Sequence, residues 1–197
     1  MAISRIVITA VVLTVVVLSG GVKGLEKQQS SPLDQRPLSL PRLRPNQPCP
    51  ISTGRLDAVP SQPQIFGGGG FWFGDGPVFL GLFWKDRDQS QAIFRLDPIP
   101  RDRNAYRAKT GWAANPSFSG PILIRGHALD SEETPLVFSA SGRPDSVLHL
   151  TAPEGAAGPS PTSWSFWPTS MWVPGPGCYG VQLDTASGTD VVVFQAT

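Results

Sequence analysis

Along this chain the apolar residues fall in short runs separated by Gly, Pro and polar clusters, and no window spaces them as an amphipathic helix does. Pro77 to Lys85 (PVFLGLFWK) is apolar almost throughout, which predicts a strand buried on both faces. Ala92 to Leu96 (AIFRL), Gly120 to Leu129 (GPILIRGHAL), Thr134 to Ala140 (TPLVFSA) and Ser146 to Ala152 (SVLHLTA) predict further strands. Ile122 and Ile124 alternate with Leu123 and Arg125, and Leu148 and Leu150 flank His149, so each of those strands is expected to keep one wet face. The C-terminus predicts a hairpin. Gly177 to Asp184 (GCYGVQLD) alternates Val181 and Leu183 with Gln182 and Asp184, TASGT turns, and Asp190 to Ala196 supplies Val191, Val193 and Phe194 on the partner strand. Strand intervals of roughly 8 to 15 residues with Gly and Pro punctuation belong to sandwiches or barrels.

The N-terminal pattern is different. Arg5 precedes an apolar run, Ile6 to Leu18, broken only by Thr9 and Thr14, which is the charge and core of a signal peptide. A bilayer span needs about 20 apolar residues, so residues 1–23 predict a cleaved signal peptide, with a membrane anchor as the alternative if they are retained. No cysteine follows the run to take a lipid. Residues 24–48 hold five prolines, many polar groups and no aromatic residue, which predicts a disordered linker; the folded domain is expected over 49–197.

At 197 residues the chain has room for one domain and an appendage. Its formal charge of +1 gives no electrostatic reason to expect nucleic acid or an anionic membrane surface as partner. Gly and Pro at 21 each dilute the chain, but 40% hydrophobic content with six tryptophans suffices for a core.

Cys49 and Cys178 are the only cysteines, and export would put them where a pair becomes a disulfide. Two thiols cannot complete a tetrahedral zinc site, and a catalytic thiol would need His127 or His149 beside it. The expected role is a clamp from the start of the domain to its end.

Candidate chemistry is sparse. GGGGFWFGDG (Gly67 to Gly76) lacks the Gly-Lys-Ser/Thr of a phosphate loop and leads into aromatics rather than a helix, so Gly67 to Gly70 predict positive φ at a strand entry. The acidic run Asp130 to Glu133 lacks calcium-loop spacing, and Asp86 and Asp88 beside Arg87 read as a wet loop. Neither Ser141 nor Ser187 sits in a nucleophile elbow. No enzyme activity, metal or cofactor is expected. What stands out is aromatic: SWSFWPTSMW places Trp164, Phe166, Trp167 and Trp172 within nine positions. Two readings stay open. Trp167 and Trp172 pack under the Cys178 turn while Trp164 caps a sheet, or the four form an exposed platform that stacks sugars or docks a protein.

WPTSMWVPGPGCYGVQLD with its valine-rich last strand, the early Cys49-Pro50 and a glycine run before an aromatic strand resemble a group of uncharacterised exported bacterial proteins. These share a Trp-Pro and a Pro-x-x-Gly-Cys-aromatic turn, here Trp167, Pro168, Pro174, Gly177, Cys178 and Tyr179. The resemblance implies an all-β, immunoglobulin-like β-sandwich that is secreted or held at the cell envelope, and it implies no reaction. The expected function is a non-enzymatic binding or structural role there, with an envelope protein or glycan as partner. The alternative is a carbohydrate-binding module using exposed tryptophans.

Overall fold

The structure is a computed structural model describing residues 32–59, 70–82, 90–96, 105–140, 142–152 and 164–197. The signal segment, the first part of the linker, Gly67 to Gly69, the loop at Asp86 to Asp88 and Ser141 lie outside the described residues, as do the side chains of residues 131–133. In chain order the strands are β1 (Trp72–Phe73), β2 (Val78–Leu82), β3 (Ile93–Phe94), β4 (Tyr106–Ala114), β5 (Gly120–Ala128), β6 (Ser131–Pro135), β7 (Val137–Ser139), β8 (Val147–Ala152), β9 (Ser165–Val173), β10 (Gly177–Thr185) and β11 (Gly188–Ala196). The first sheet runs β1-β2-β4-β9-β7; the second runs β3-β11-β10-β5-β6, with β8 also on β5. Only the β11–β3 pair is parallel among these.

The two sheets pack face to face, as expected for a sandwich. Val78, Leu80 and Leu82 of β2, Trp112 of β4 and Met171 of β9 meet Ile122, Ile124, Val181, Leu183 and Phe194 from the second sheet in one core. Trp112 is fully buried, and its indole N–H donates to Thr169 Oγ1 at 3.0 Å; Thr169 also shares a 2.6 Å hydrogen bond with Thr110. Those contacts satisfy polar atoms that would otherwise be costly inside.

Three expectations change. The strand β4 (YRAKTGWAA), centre of the first sheet, has no strong β-former before Trp112 except Tyr106 and Thr110, so its alternation escaped the pattern of apolar runs. On β11 it is Val192, Phe194 and Ala196 that join the main core, while Val191 and Val193 pack on the other side of the sheet. The predicted wet face is kept on β8, where His149 is exposed, but on β5 it is largely dry: Leu123 is buried, as are Gln182 and Asp184 beside it on β10.

The cover over that face is the segment expected to be a disordered linker. Its described part, residues 32–48, begins with a 3-10 turn, Pro32–Gln35, whose Leu33 is buried, and then runs along the outside of the second sheet. Leu40 and Leu43 pack against Leu129, Cys178 and Val193. Gly180 makes room for this: a Cβ there would lie 3.1 Å from Leu40 and 2.8 Å from Leu129. Composition misled because the prolines, which lack an N–H, suit a chain lying flat on a sheet as well as they suit disorder. A few leucines at the right places supply the burial.

Cys49 and Cys178 form a disulfide with Cα atoms 5.6 Å apart and a sequence separation of 129. The bond lies outside the second sheet and closes the far end of the covering segment. Of Gly67 to Gly70 only Gly70 is among the described residues, and it has no positive φ; positive φ occurs at Gly74 (110°) and Gly76 (86°), in the turn from β1 to β2.

Candidate functional site

Strand alternation sorts the four aromatics before any chemistry is considered. Residues at odd positions of β9 point inward, so Trp167, opposite Trp112, packs against the main core. Trp164 and Phe166 join Trp72, Phe79, Ala113 and Val59 in a second, smaller cluster on the outer side of the first sheet. The ring centroids there are 6.1 Å apart for Trp72–Phe166 and 5.8 Å for Phe79–Trp164. Trp172 stands on the same outer side, but six residues on from Phe166, or roughly 20 Å along the strand. It does not lie under the Cys178 turn, since Cys178 faces the outside of the other sheet. The four residues are not one platform.

Trp172 instead builds a site with residues that the pattern of apolar runs did not flag. It pairs across the ladder with Arg107 on one side and Val137 on the other, and in the neighbouring rung Ser170 pairs with Lys109 and Ser139. The Arg107 guanidinium carbon lies 5.6 Å from the Trp172 ring centroid, a cation–π arrangement, and Arg107 Nε donates to Ser170 Oγ at 3.0 Å. Lys109 is exposed and makes no hydrogen bond or ion pair among the described residues. Trp172, Arg107, Lys109, Ser170, Ser139 and Pro168 line an open groove of about 710 Å³, within the roughly 300–1,000 Å³ of ligand-sized sites. No Asp or Glu is among its lining residues. The period-two alternation of Arg107 and Lys109 with Ala108 and Thr110 is the sequence signal that could have found it.

The opposite outer face carries a buried ionic network. Asp184 has a fully buried side chain; its Oδ2 receives Arg125 Nη2 at 2.6 Å, and its Oδ1 receives Thr189 Oγ1 at 2.6 Å. Gln182 Nε2 also donates to it, at 2.9 and 3.1 Å. Burial alone would raise the Asp184 carboxyl, but the hydrogen bonds from Thr189, Gln182 and Arg125, with the Arg125 charge, hold it below the ordinary carboxylate value. The network then grips the covering segment by its backbone: Arg125 Nη1 donates to Arg36 O at 2.9 Å, Gln182 Nε2 to Pro37 O at 3.0 Å, and Ser39 N to Gln182 Oε1 at 2.6 Å.

The two regions have a fixed relation along the sandwich. Arg36 donates to Gly188 O at the β10–β11 turn, the end at which Thr185 and Gly188 share a small cavity with Val78. Val78 pairs with Ala114, whereas Arg107 and Trp172 sit at the opposite ends of β4 and β9, beside the turn into Cys178. At that corner Tyr179 stacks on Phe194 at 5.4 Å and its hydroxyl donates to Gly175 O at 2.8 Å. Burial, against that hydrogen bond and with the Asp130 charge, raises the Tyr179 pKa. The groove thus lies far from the point where residue 32 meets the domain.

Neither a protein-family model nor a curated protein matches this chain. The disulfide is consistent with an extracytoplasmic location, and among the described residues no helix is long and apolar enough to cross a membrane.

Proposed function

We propose that this chain is an exported, non-catalytic domain of the bacterial cell envelope that binds its partner through the outer side of the first sheet. The observation that carries this reading is the Trp172 groove: a cation held over an indole, a second cation with no ion pair among the described residues, and no carboxylate among the lining residues. A purely structural domain has no need of such a concentration, because unpaired like charges on one face repel. We place the fold among immunoglobulin-like sandwiches. The Tyr179 hydroxyl closing the β9–β10 corner supports this, although the disulfide clamps an outer segment rather than spanning the core. The partner is an envelope glycan or protein.

The test is co-sedimentation of the purified chain with the insoluble envelope fraction of the source organism. The wild type is expected to pellet, and Trp172→Ala and Lys109→Glu to stay soluble. Equal pelleting of all three, or of none, contradicts a binding role for the groove. A single-residue Ser, His or Asp change that abolishes a measured turnover on peptide, ester or glycoside substrates would contradict the non-catalytic part.

A further inference from the structure

The geometry points to a carboxylated polysaccharide, a chain of uronate-type sugars, as the occupant of the Trp172 groove; this rests on the groove being the binding surface. Charge sets the first requirement. Arg107 and Lys109 project from one face of β4 about 7 Å apart, and no Asp or Glu is among the residues lining the groove with them, so the groove is locally positive. Ser170 holds Arg107 by Nε, and its two terminal amino groups have no partner among the described residues, which leaves the fork that receives a carboxylate.

The second requirement separates a sugar from an acidic peptide. An extended peptide is best captured by pairing with an open sheet edge. Here β7, the edge strand next to the groove, is closed by a two-way backbone pair with Asp145, at 2.7 and 2.9 Å. The other edge, β1, is closed likewise by Arg55, at 2.9 and 3.0 Å. Recognition therefore falls to side chains: an indole for the apolar face of a pyranose, the hydroxyls of Ser139 and Ser170 for its hydroxyls, and two cations for its acid groups. The groove is open along the sheet rather than enclosed, which admits the middle of a polymer, and it faces away from the end where residue 32 lies.

Isothermal titration of the full chain at low salt tests this with three probes: polygalacturonate, dextran as a neutral polysaccharide and poly-L-glutamate as an acidic peptide. Polygalacturonate is expected to bind about tenfold or more tightly than either of the others. Lys109→Glu should weaken it by about tenfold or more, and Arg107→Lys, which keeps the charge but loses the fork, by several-fold. Trp172→Phe should retain more affinity than Trp172→Leu, and Arg44→Glu, on the covering segment of the other sheet, should leave it unchanged. Lys109→Glu removes no hydrogen bond or ion pair among the described residues and is expected to fold, so the result stands even if a Trp172 variant does not. Equal losses in Lys109→Glu and Arg44→Glu would mean diffuse charge attraction and overturn the inference. So would poly-L-glutamate binding as tightly as polygalacturonate, or no binding of polygalacturonate at all. Tight dextran binding lost in Trp172→Leu but kept in Lys109→Glu overturns the acidic ligand while leaving the groove as a binding surface. Envelope co-sedimentation that persists in the groove variants instead defeats the groove itself.

Discussion

The outer faces of the two sheets make opposite use of charge. On the second sheet Arg125 is paired with a fully buried Asp184, and residues 32–48 lie over both. On the first sheet Arg107 and Lys109 face a groove whose lining offers no carboxylate, and among the described residues an indole and a serine hold Arg107. A buried charge must be matched within the chain, because desolvation is expensive. A cation that stays hydrated can await a partner from outside. The difference sets a face matched within the chain against a face whose cations stay hydrated, which is the contrast that the proposed recognition surface rests on.

The largest effect should come from removing the staple that keeps the covered face covered. Cys49→Ser/Cys178→Ser opens a loop of 129 residues, and in the chain-entropy model this lowers stability by up to about 5 kcal/mol. Urea unfolding should show it, and proteolysis between residues 32 and 48 should become faster; an unchanged midpoint would show that the bond is incidental.

Asp184→Ala comes next, because it strands Arg125 without its carboxylate, and about 3 kcal/mol of stability should go. The same group sets an acid response. Its folded pKa lies below the ordinary value near about 3.9, so its stabilisation is present above that value and is lost as pH falls through the folded one. Asp184→Asn should therefore flatten the decline of stability below about pH 4, measured by urea midpoints at stepped pH. A decline as steep as in the wild type would assign it to other carboxylates.

Gly180→Val should cost about 1 to 3 kcal/mol, since its side chain would press on Leu40 and Leu129. If covering and sheet are one unit, Leu40→Ala in the same chain should relieve part of that cost. Strict additivity of the two changes would deny the contact. At the small end, Lys109→Gln on the open face should alter stability by no more than about 0.5 kcal/mol. A larger loss would mean that Lys109 has a structural partner, and the contrast between the faces would weaken.

The all-β class, most strands, the C-terminal hairpin and the disulfide were legible because apolar runs, Gly and Pro punctuation and a cysteine pair are local signals. What escaped were long-range relations. Nothing near Pro37 or Ser39 says that Gln182 will hold their backbone, so a proline-rich stretch read as disordered. That same omission made the Leu123 and Arg125 face of β5 read as wet. Within SWSFWPTSMW the residue types are visible but the strand that orders them is not, so nothing local shows that Trp167 and Trp172 lie on opposite sides of β9. Arg107 was passed over because its meaning comes from Trp172, 65 positions away in sequence and adjacent across the ladder.

The central claim is that residues 32–48 form a docked layer of the domain, and amide hydrogen exchange at Ser39 and Leu43 tests it most directly. Ser39 N donates to the buried Gln182 side chain at 2.6 Å, and Leu43 N to Leu129 O at 3.0 Å. Both amides should be protected in the native protein, to a degree approaching that of the β10 amides beneath them, and both should lose that protection in Cys49→Ser/Cys178→Ser. Exchange of Ser39 and Leu43 at the rate of an unstructured peptide, with β10 still protected, would contradict the account.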